Sequence, residues 1–397
     1  MTQEESRTDA IPEGGILLHI GPHKTGTSSL QAALRRATSS LQQEGIEHVV
    51  AGVQRTANRA ARAIQRLPYT GPRESAAIPL KVWTDLVEKV HASKAERIVI
   101  SGEEFSASTP SVIKNIVDDL GPQRLHVVIT LRSLDQVLTS QWQTDVRSAG
   151  TYLDFASWLK ATLRDSRDQY RIGPLILRHR FWYRHRHDLL IQRWASLLSP
   201  GHLHIVISKD NEPEHLFRSF EQLLGLKVTT LDSGSERKNR SLDADQIEVV
   251  RRVVRLLHQT IDGQALLSKS KKLSLQTLVV RAMPVSGERK RMFIPSWASS
   301  DVSRISDKII EAVSGTHNVM GSLTDLLPHK AEVALQSESH RYSDSELEQC
   351  SVKAFNLLIG RATTASVQEA SPLQLRTIQL LRLVRIAGQR IRSTLRG

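Results

Sequence analysis

A single cysteine, Cys350, stands in the whole chain, so no disulfide can close within it and nothing points to an oxidising compartment. Long apolar runs are missing too, and none approaches the roughly 20 residues that a membrane-spanning helix needs. The first residues, MTQEESRTDAIPEGG, are polar and acidic, where a secretory leader would be basic and then apolar. A soluble cytoplasmic protein with a disordered leader over residues 1–14 is the expectation. There is no internal repeat and no low-complexity tract. Acid is in deficit: 41 Asp and Glu face 54 Lys and Arg, a net charge of +13. That excess suits either nucleic acid or a small polyanion, and it is spread along the chain instead of gathered in one tract.

At 397 residues the chain can bury a substantial core, and the pattern predicts an α/β domain with a helical accessory region. Near the start, ILLHIGPHKTGTSSLQAALRR reads as a buried strand, a loop and a helix. Gly21 and Gly26 keep the spacing of the ATP-binding loop G-x-x-x-x-G-K-[ST]. Thr27, however, stands where that loop has its lysine, and Lys24 lies two residues before the second glycine. Ser28 and Gln31 suit a capping box, which would turn the N–H groups of residues 25–28 toward an anion at the positive end of the helix. The plain alternative is a strand-to-helix turn that needs glycines.

The segment PHKTGTSSL resembles the 5'-phosphosulfate loop, approximately P-K-x-G-T-[TS], of sulfotransferases that use PAPS (3'-phosphoadenosine 5'-phosphosulfate), with His23 standing between Pro22 and Lys24. The resemblance, to bacterial-type and carbohydrate-sulfotransferase-like members, implies that Thr25, Gly26, Thr27 and Ser28 bind the 5'-phosphate. It also implies that Lys24 contacts the oxygen bridging phosphate and sulfate, and that the product is PAP. No metal is expected.

Farther on, RLHVVITLRSLDQVLTSQWQTD predicts a strand over 124–131, then Arg132, then a helix that Ser133 and Gln136 suit as a capping box. In the PAPS family an arginine closes such a strand and a serine eight residues later shares the 3'-phosphate. Arg132 and Ser140 have that spacing, and a guanidinium's planar fork suits phosphate. Between the two loops, ERIVISGEEF predicts a strand over 97–101 that ends in adjacent glutamates. Some relatives use a glutamate to take the acceptor's proton, and bacterial-type members carry a similar S-[SG]-E segment. Glu103 is therefore the candidate base, with Glu104 in reserve and His23 as the competing base. The structural alternative for either glutamate is a helix cap or a solvated side chain.

The family also returns to the cofactor with a basic loop, for which Lys238, Asn239 and Arg240 are placed; a linker capped by Ser241 or Asp243 fits the same residues. Further strand and helix patterns fall at 203–207 and 213–225. Arg55, Arg59, Arg62 and Arg66 form one stripe on a helix and read as a solvated face or as the path of an anionic acceptor. RHRFWYRHRHDLL, residues 178–190, mixes bases with aromatics and reads as a helix start with a basic face. Ser343 and Glu346 mark a later capped helix start.

The expected organisation is thus a leader over 1–14, a P-loop-like parallel sheet flanked by helices over 15–242, and a helical region over 243–397. The C-terminal stretch from 371 carries six arginines and no acid. It suits docking on the core or a second subunit, or an anionic membrane surface. The reaction implied is sulfuryl transfer from PAPS to an acceptor hydroxyl, carbohydrate-type, with a small-molecule or glycan partner. A P-loop kinase and a basic nucleic-acid-binding protein are the alternatives; the first lacks a lysine after Gly26, and the second leaves the paired phosphate sites unexplained.

Overall fold

The computed structural model describes residues 10–50, 57–67, 78–166, 176–209, 212–232, 234, 242–259, 292–329 and 342–367. Within them lie six strands: β1 (Ile16–His19), β2 (Ile46–His48), β3 (Arg97–Ser101), β4 (Leu125–Leu131), β5 (Leu203–Ile207) and β6 (Asn318–Met320). The helices begin with α1 (Thr27–Arg36), α2 (Thr38–Gln43), α3 (Asn58–Ile64), α4 (Lys81–Ala92), α5 (Pro110–Leu120), α6 (Leu134–Arg147) and α7 (Phe155–Asp165). They continue with α8 (Ile176–His185), α9 (His187–Ala195), α10 (Glu214–Leu224), α11 (Ala244–Gln259), α12 (Ser299–Ser314) and α13 (Asp344–Val367). Two compact units divide the chain: Met1–Leu138 with Ala161–Arg240 and Ser296–Lys330, and Thr139–Lys160 with Ser241–Pro295 and Ala331–Gly397.

In the first unit the six strands form one parallel sheet in the order β2-β3-β1-β4-β5-β6, an α/β fold with helices flanking it. The sequence explains why the sheet is parallel and covered. Every residue of β1, β4 and β5 is buried, so these strands read as mainly Val, Ile and Leu with no solvated face, and His19, His126, Thr130 and His204 are buried among them. On one face Leu17, Val99, Val128 and Val206 pack with Leu30, Ala33 and Leu34 of α1 and with Leu216, Phe217 and Phe220 of α10. Helix α5 has local signals at both ends: Thr109 accepts from the Val112 N–H, Pro110 opens the helix, and Gly121 follows its last residue. The edge strands β2 and β6 have three residues each, too few for an apolar run to announce them, and β6 comes from a stretch whose pattern reads as helical.

Three local expectations need correction. Ile11, inside the stretch read as a leader, is buried, and its N–H donates to the Leu223 carbonyl. The arginine stripe is not a solvated face: Arg62 is buried and ion-paired with Glu104, while α3 stops at Ile64, short of Arg66; Arg55 lies outside the described residues. The basic and aromatic stretch becomes the end of α8 and the start of α9. Its Trp182, His185 and His187 are buried, Arg184 pairs with Glu104, and Arg186 pairs with Asp188, so these three rings fill the interior and these cations are neutralised.

The second unit is helical in its described part. Val249, Val250, Val253 and Val254 of α11 pack with Leu347, Ala354 and Leu358 of α13 and with Trp142 and Val146 at the end of α6. Arg252 joins Glu248 on its own helix to Asp344 and Glu348 on α13. The Ser343–Glu346 capping box forms in both directions: the Ser343 N–H donates to Glu346 Oε2 at 2.8 Å, and the Glu346 N–H donates to Ser343 Oγ. Among the described residues no helix is long and apolar enough to cross a membrane.

Candidate functional site

The strand order reverses at β1. From β1 the chain runs to β2 and returns through β3, then passes to the other side of β1 to make β4. Loops leaving β1 and β4 therefore part to opposite sides, and the crevice beyond their carboxyl ends is where open α/β sheets bind ligands. Residues 20–26 leave β1 at that point, and Arg132 follows β4 directly.

The β1–α1 loop is tightly wound. Gly21, Lys24 and Gly26 all have left-handed backbones, with φ of 77°, 71° and 95°. A Cβ on Gly21 would come within 2.9 Å of the Glu103 Cβ, and one on Gly26 within 2.7 Å of Leu216 Cδ2, so a side chain at either position is strained and forces a neighbour to shift. Lys24 holds the same conformation with a side chain, a strained arrangement that surroundings must enforce. The Thr25 hydroxyl donates to the Pro22 carbonyl at 2.7 Å and the Thr27 hydroxyl to the same oxygen at 3.2 Å. These two hydroxyls brace the loop across Lys24, while Ser28 is exposed.

Helix α1 begins at Thr27 behind Gly26 and has no side-chain cap. The N–H groups of Ser29 and Leu30 turn back to the Gly26 carbonyl, and helix geometry leaves those of Thr27 and Ser28 with no intrahelical acceptor. The expected Ser28–Gln31 capping box is absent, because the Gln31 amide reaches out to Glu103 Oε2 at 2.8 Å. An uncapped, glycine-led helix start still suits an anion.

Under this loop lies a polar chain that the apolar strand pattern hid. His19 Nδ1 is 2.8 Å from Ser101 Oγ on β3, and His19 Nε2 is 3.2 Å from Thr130 Oγ1 on β4. Thr130 Oγ1 is in turn 2.6 Å from Thr25 Oγ1. Burial pushes the His19 imidazole down to about 4 against the pull of Glu103, so it is neutral near pH 7.

The two glutamates after β3 have different surroundings. Glu104 accepts from Arg62 at 3.1 Å on one oxygen and from Arg184 at 2.5 Å on the other, and its N–H donates to Asn58 Oδ1. Glu103 accepts from Gln31. Burial would raise the Glu103 carboxyl, yet the neighbouring His23 and the hydrogen bonds from Asn58 and Gln31 outweigh it and hold Glu103 below the usual range. His23 goes the other way: burial first, then the Arg184 guanidinium, push it down to about 4. Glu103 is thus ionised and His23 neutral at neutral pH.

Arg132 Nε donates to Gln136 Oε1, which takes Gln136 out of the expected capping box. Ser133 Oγ is buried and has no hydrogen-bond partner among the described residues, so that box is also absent. Ser140 lies on α6, two turns beyond Ser133, and its carbonyl accepts from the Thr144 hydroxyl. Lys238, Asn239 and Arg240 lie outside the described residues, as does the arginine-rich stretch from 371. No group of three or more His, Cys, Asp or Glu side chains is placed to hold a metal ion among the described residues.

No protein-family model matches this chain, and no curated protein does. Among solved structures, a sulfotransferase from Alicyclobacillus acidocaldarius is similar at 17% identity and a TM-score of 0.40, covering 66% of this chain and 96% of that one.

Proposed function

We propose that this chain is a PAPS-dependent sulfotransferase acting on an acceptor hydroxyl of carbohydrate type. The observation that carries the reading is the convergence at one switch point of the left-handed loop around Lys24 and the arginine that closes β4, two cationic positions at the ends of adjacent strands. PAPS, when bound, supplies a sulfuryl group activated by its 5'-phosphate and carries a 3'-phosphate as a second anionic handle.

In this reading the free amides at the start of α1, with the backbone of Thr25 to Ser28 and the exposed Ser28 hydroxyl, hold the 5'-phosphate. Lys24 stands beside the leaving oxygen, where its charge matters most as negative charge develops. Arg132 and Ser140 hold the 3'-phosphate, and Lys238, Asn239 and Arg240 belong to the same nucleotide. Glu103 is ionised at neutral pH, fixed by Gln31, and takes the proton of the acceptor hydroxyl. His23 is the second proton acceptor within the same cluster. Glu104, gripped by two arginines, is assigned to positioning α3 and α8 around the site. Transfer asks mainly for placement and charge stabilisation, by analogy with phosphoryl transfer.

Thermal stabilisation by PAP, set against ATP with magnesium, tests the nucleotide. A larger shift with PAP is expected, and a shift with ATP alone would return the kinase reading. A comparison of sulfated products in cells with and without the protein identifies the acceptor.

A further inference from the structure

The loop that carries Lys24 rests on side chains from three strands. Ser101 on β3, His19 on β1 and Thr130 on β4 are all essentially inaccessible to solvent, as is Thr25 in the loop itself. Their contacts, 2.8 Å, 3.2 Å and 2.6 Å in sequence, use every hydroxyl hydrogen and both ring nitrogens when His19 carries its hydrogen on Nε2. The Thr25 hydroxyl donates to the Pro22 carbonyl at 2.7 Å, so its oxygen must accept from Thr130. Thr130, having donated, must accept from the His19 Nε2–H. His19 Nδ1 then carries no hydrogen and accepts from the Ser101 hydroxyl. The Thr130 hydroxyl also lies 3.3 Å from the Gly21 carbonyl, which the Thr130 N–H engages at 2.8 Å; donation there lets Thr130 accept from Thr25 and still from the His19 Nε2–H, so the tautomer is the same. With the hydrogen on Nδ1 instead, the Ser101 hydroxyl would have no acceptor among the described residues, and a buried unmatched donor costs more than the bond is worth.

We infer that His19, as the neutral Nε2–H tautomer, is a positioning residue that locks the Lys24 loop through Thr130 and Thr25. The last bond of the chain, Thr25 to Pro22, closes a small ring with His23 and Lys24 inside it. Lys24 is the residue held at φ 71°. A left-handed backbone at a residue with a Cβ is disfavoured unless its surroundings impose it, and this ring imposes it. Histidine suits the central position because one neutral ring offers a donor toward β4 and an acceptor toward β3. An edge-on contact with Phe220, 5.2 Å between ring centres, fixes the ring plane from the helix side. His19 touches no substrate in this scheme; it acts through the loop.

The inference rests on the phosphosulfate reading of that loop, and the test separates the two. Nitrogen NMR of the wild-type chain, labelled at histidine, should show His19 at neutral pH as a neutral ring with hydrogen on Nε2; hydrogen on Nδ1 would overturn the inference whatever the loop binds. Calorimetry with PAP then compares three variants. His19→Asn loses the Nε2 donor and Thr130→Val removes the relay hydroxyl, and each should weaken PAP about 10-fold, the scale seen when outer partners of a binding group are removed. His19→Gln keeps an amide N–H near the Nε2 position and should stay within about 3-fold of wild type. A merely space-filling histidine would not separate Gln from Asn in this way. Wild-type affinity in both His19→Asn and Thr130→Val sinks the inference, and Thr130→Val decides it if His19→Asn does not fold. Failure of the wild-type chain to bind PAP sinks the phosphosulfate reading instead, and the tautomer alone then decides the relay.

Discussion

Arg184 donates to Glu104 Oε2 at 2.5 Å across 80 residues of sequence, tying the turn after β3 to α8. Arg62 takes the other oxygen from α3, and all three side chains are at most 14% exposed. A carboxylate buried between two guanidiniums is costly to neutralise, because its removal leaves both cations short of a counter-charge. Glu104→Gln should therefore lower stability by about 3 kcal/mol, read as a drop in the urea midpoint with unchanged slope. An unchanged midpoint would show that Glu104 has no such structural load.

Glu103 accepts from the Gln31 amide on the carboxyl oxygen it presents to α1. Glu103→Gln preserves that contact, since a glutamine oxygen also accepts, but it abolishes proton uptake. Stability and PAP affinity should stay near wild type while single-turnover transfer falls about 100-fold or more. Normal turnover in this variant would move the base role to His23, and a His23→Gln variant would then show the loss.

Lys24→Ala should fold, because the left-handed position is eased by a smaller residue only in its side chain and the ring from Pro22 to Thr25 remains. Its expected defect lies in the rate: about 100- to 1000-fold in kcat, the usual scale for one preorganised charge contact, with a smaller change in PAP affinity. Equal losses in binding and rate would mean that Lys24 holds the ground state as strongly as the transition state.

How much of this was legible in the sequence depended on how local each feature is. Four strands and the helix after β5 are written in continuous apolar runs and helical periodicity, and the structure has them at Ile16–His19, Arg97–Ser101, Leu125–Leu131, Leu203–Ile207 and Glu214–Leu224. Edge strands of three residues carry no period to detect. Capping boxes were legible only where nothing competed: Ser343 and Glu346 bond each other, whereas Gln31 and Gln136 are drawn to Glu103 and Arg132 by contacts that the local pattern does not contain. The same holds for charge. Spacing put Arg62 on a helix stripe, but only the distant Glu104 decides that it is buried. His19 was hidden most fully, since a histidine inside an apolar run looks like a filler until Ser101 and Thr130 are brought to either side of it.

Arg132→Ala tests the nucleotide's other end. Arg132 should contact only the 3'-phosphate, so PAP should lose roughly 1.5 to 3 kcal/mol of binding, the range for a hydrogen bond to a charged group. Adenosine 5'-phosphosulfate, which lacks that phosphate, should lose little. Equal losses by calorimetry would remove Arg132 from this role and leave it as the partner of Gln136.

The buried histidines set the protein's response to acid. His19 and His187 are inaccessible to solvent, and burial lowers each from 6.5 to about 4. The native chain therefore leaves them unprotonated where the unfolded chain protonates them. Stability is unaffected above about pH 6.5 and falls as pH drops from there toward 4, because the unfolded state binds more protons across that window. Each such ring opposes folding by roughly 3 kcal/mol at the acid end, a large share of a typical total of about 5 to 15 kcal/mol. Neither nitrogen of His187 has a hydrogen-bond partner among the described residues, so His187→Leu removes the proton site without breaking a bond. The variant should match or exceed wild-type stability at pH 7. Between pH 7 and 5 it should lose roughly 2 kcal/mol less than wild type, measured by urea unfolding at half-unit steps. Parallel stability curves for the two chains would show that His187 does not titrate in this window.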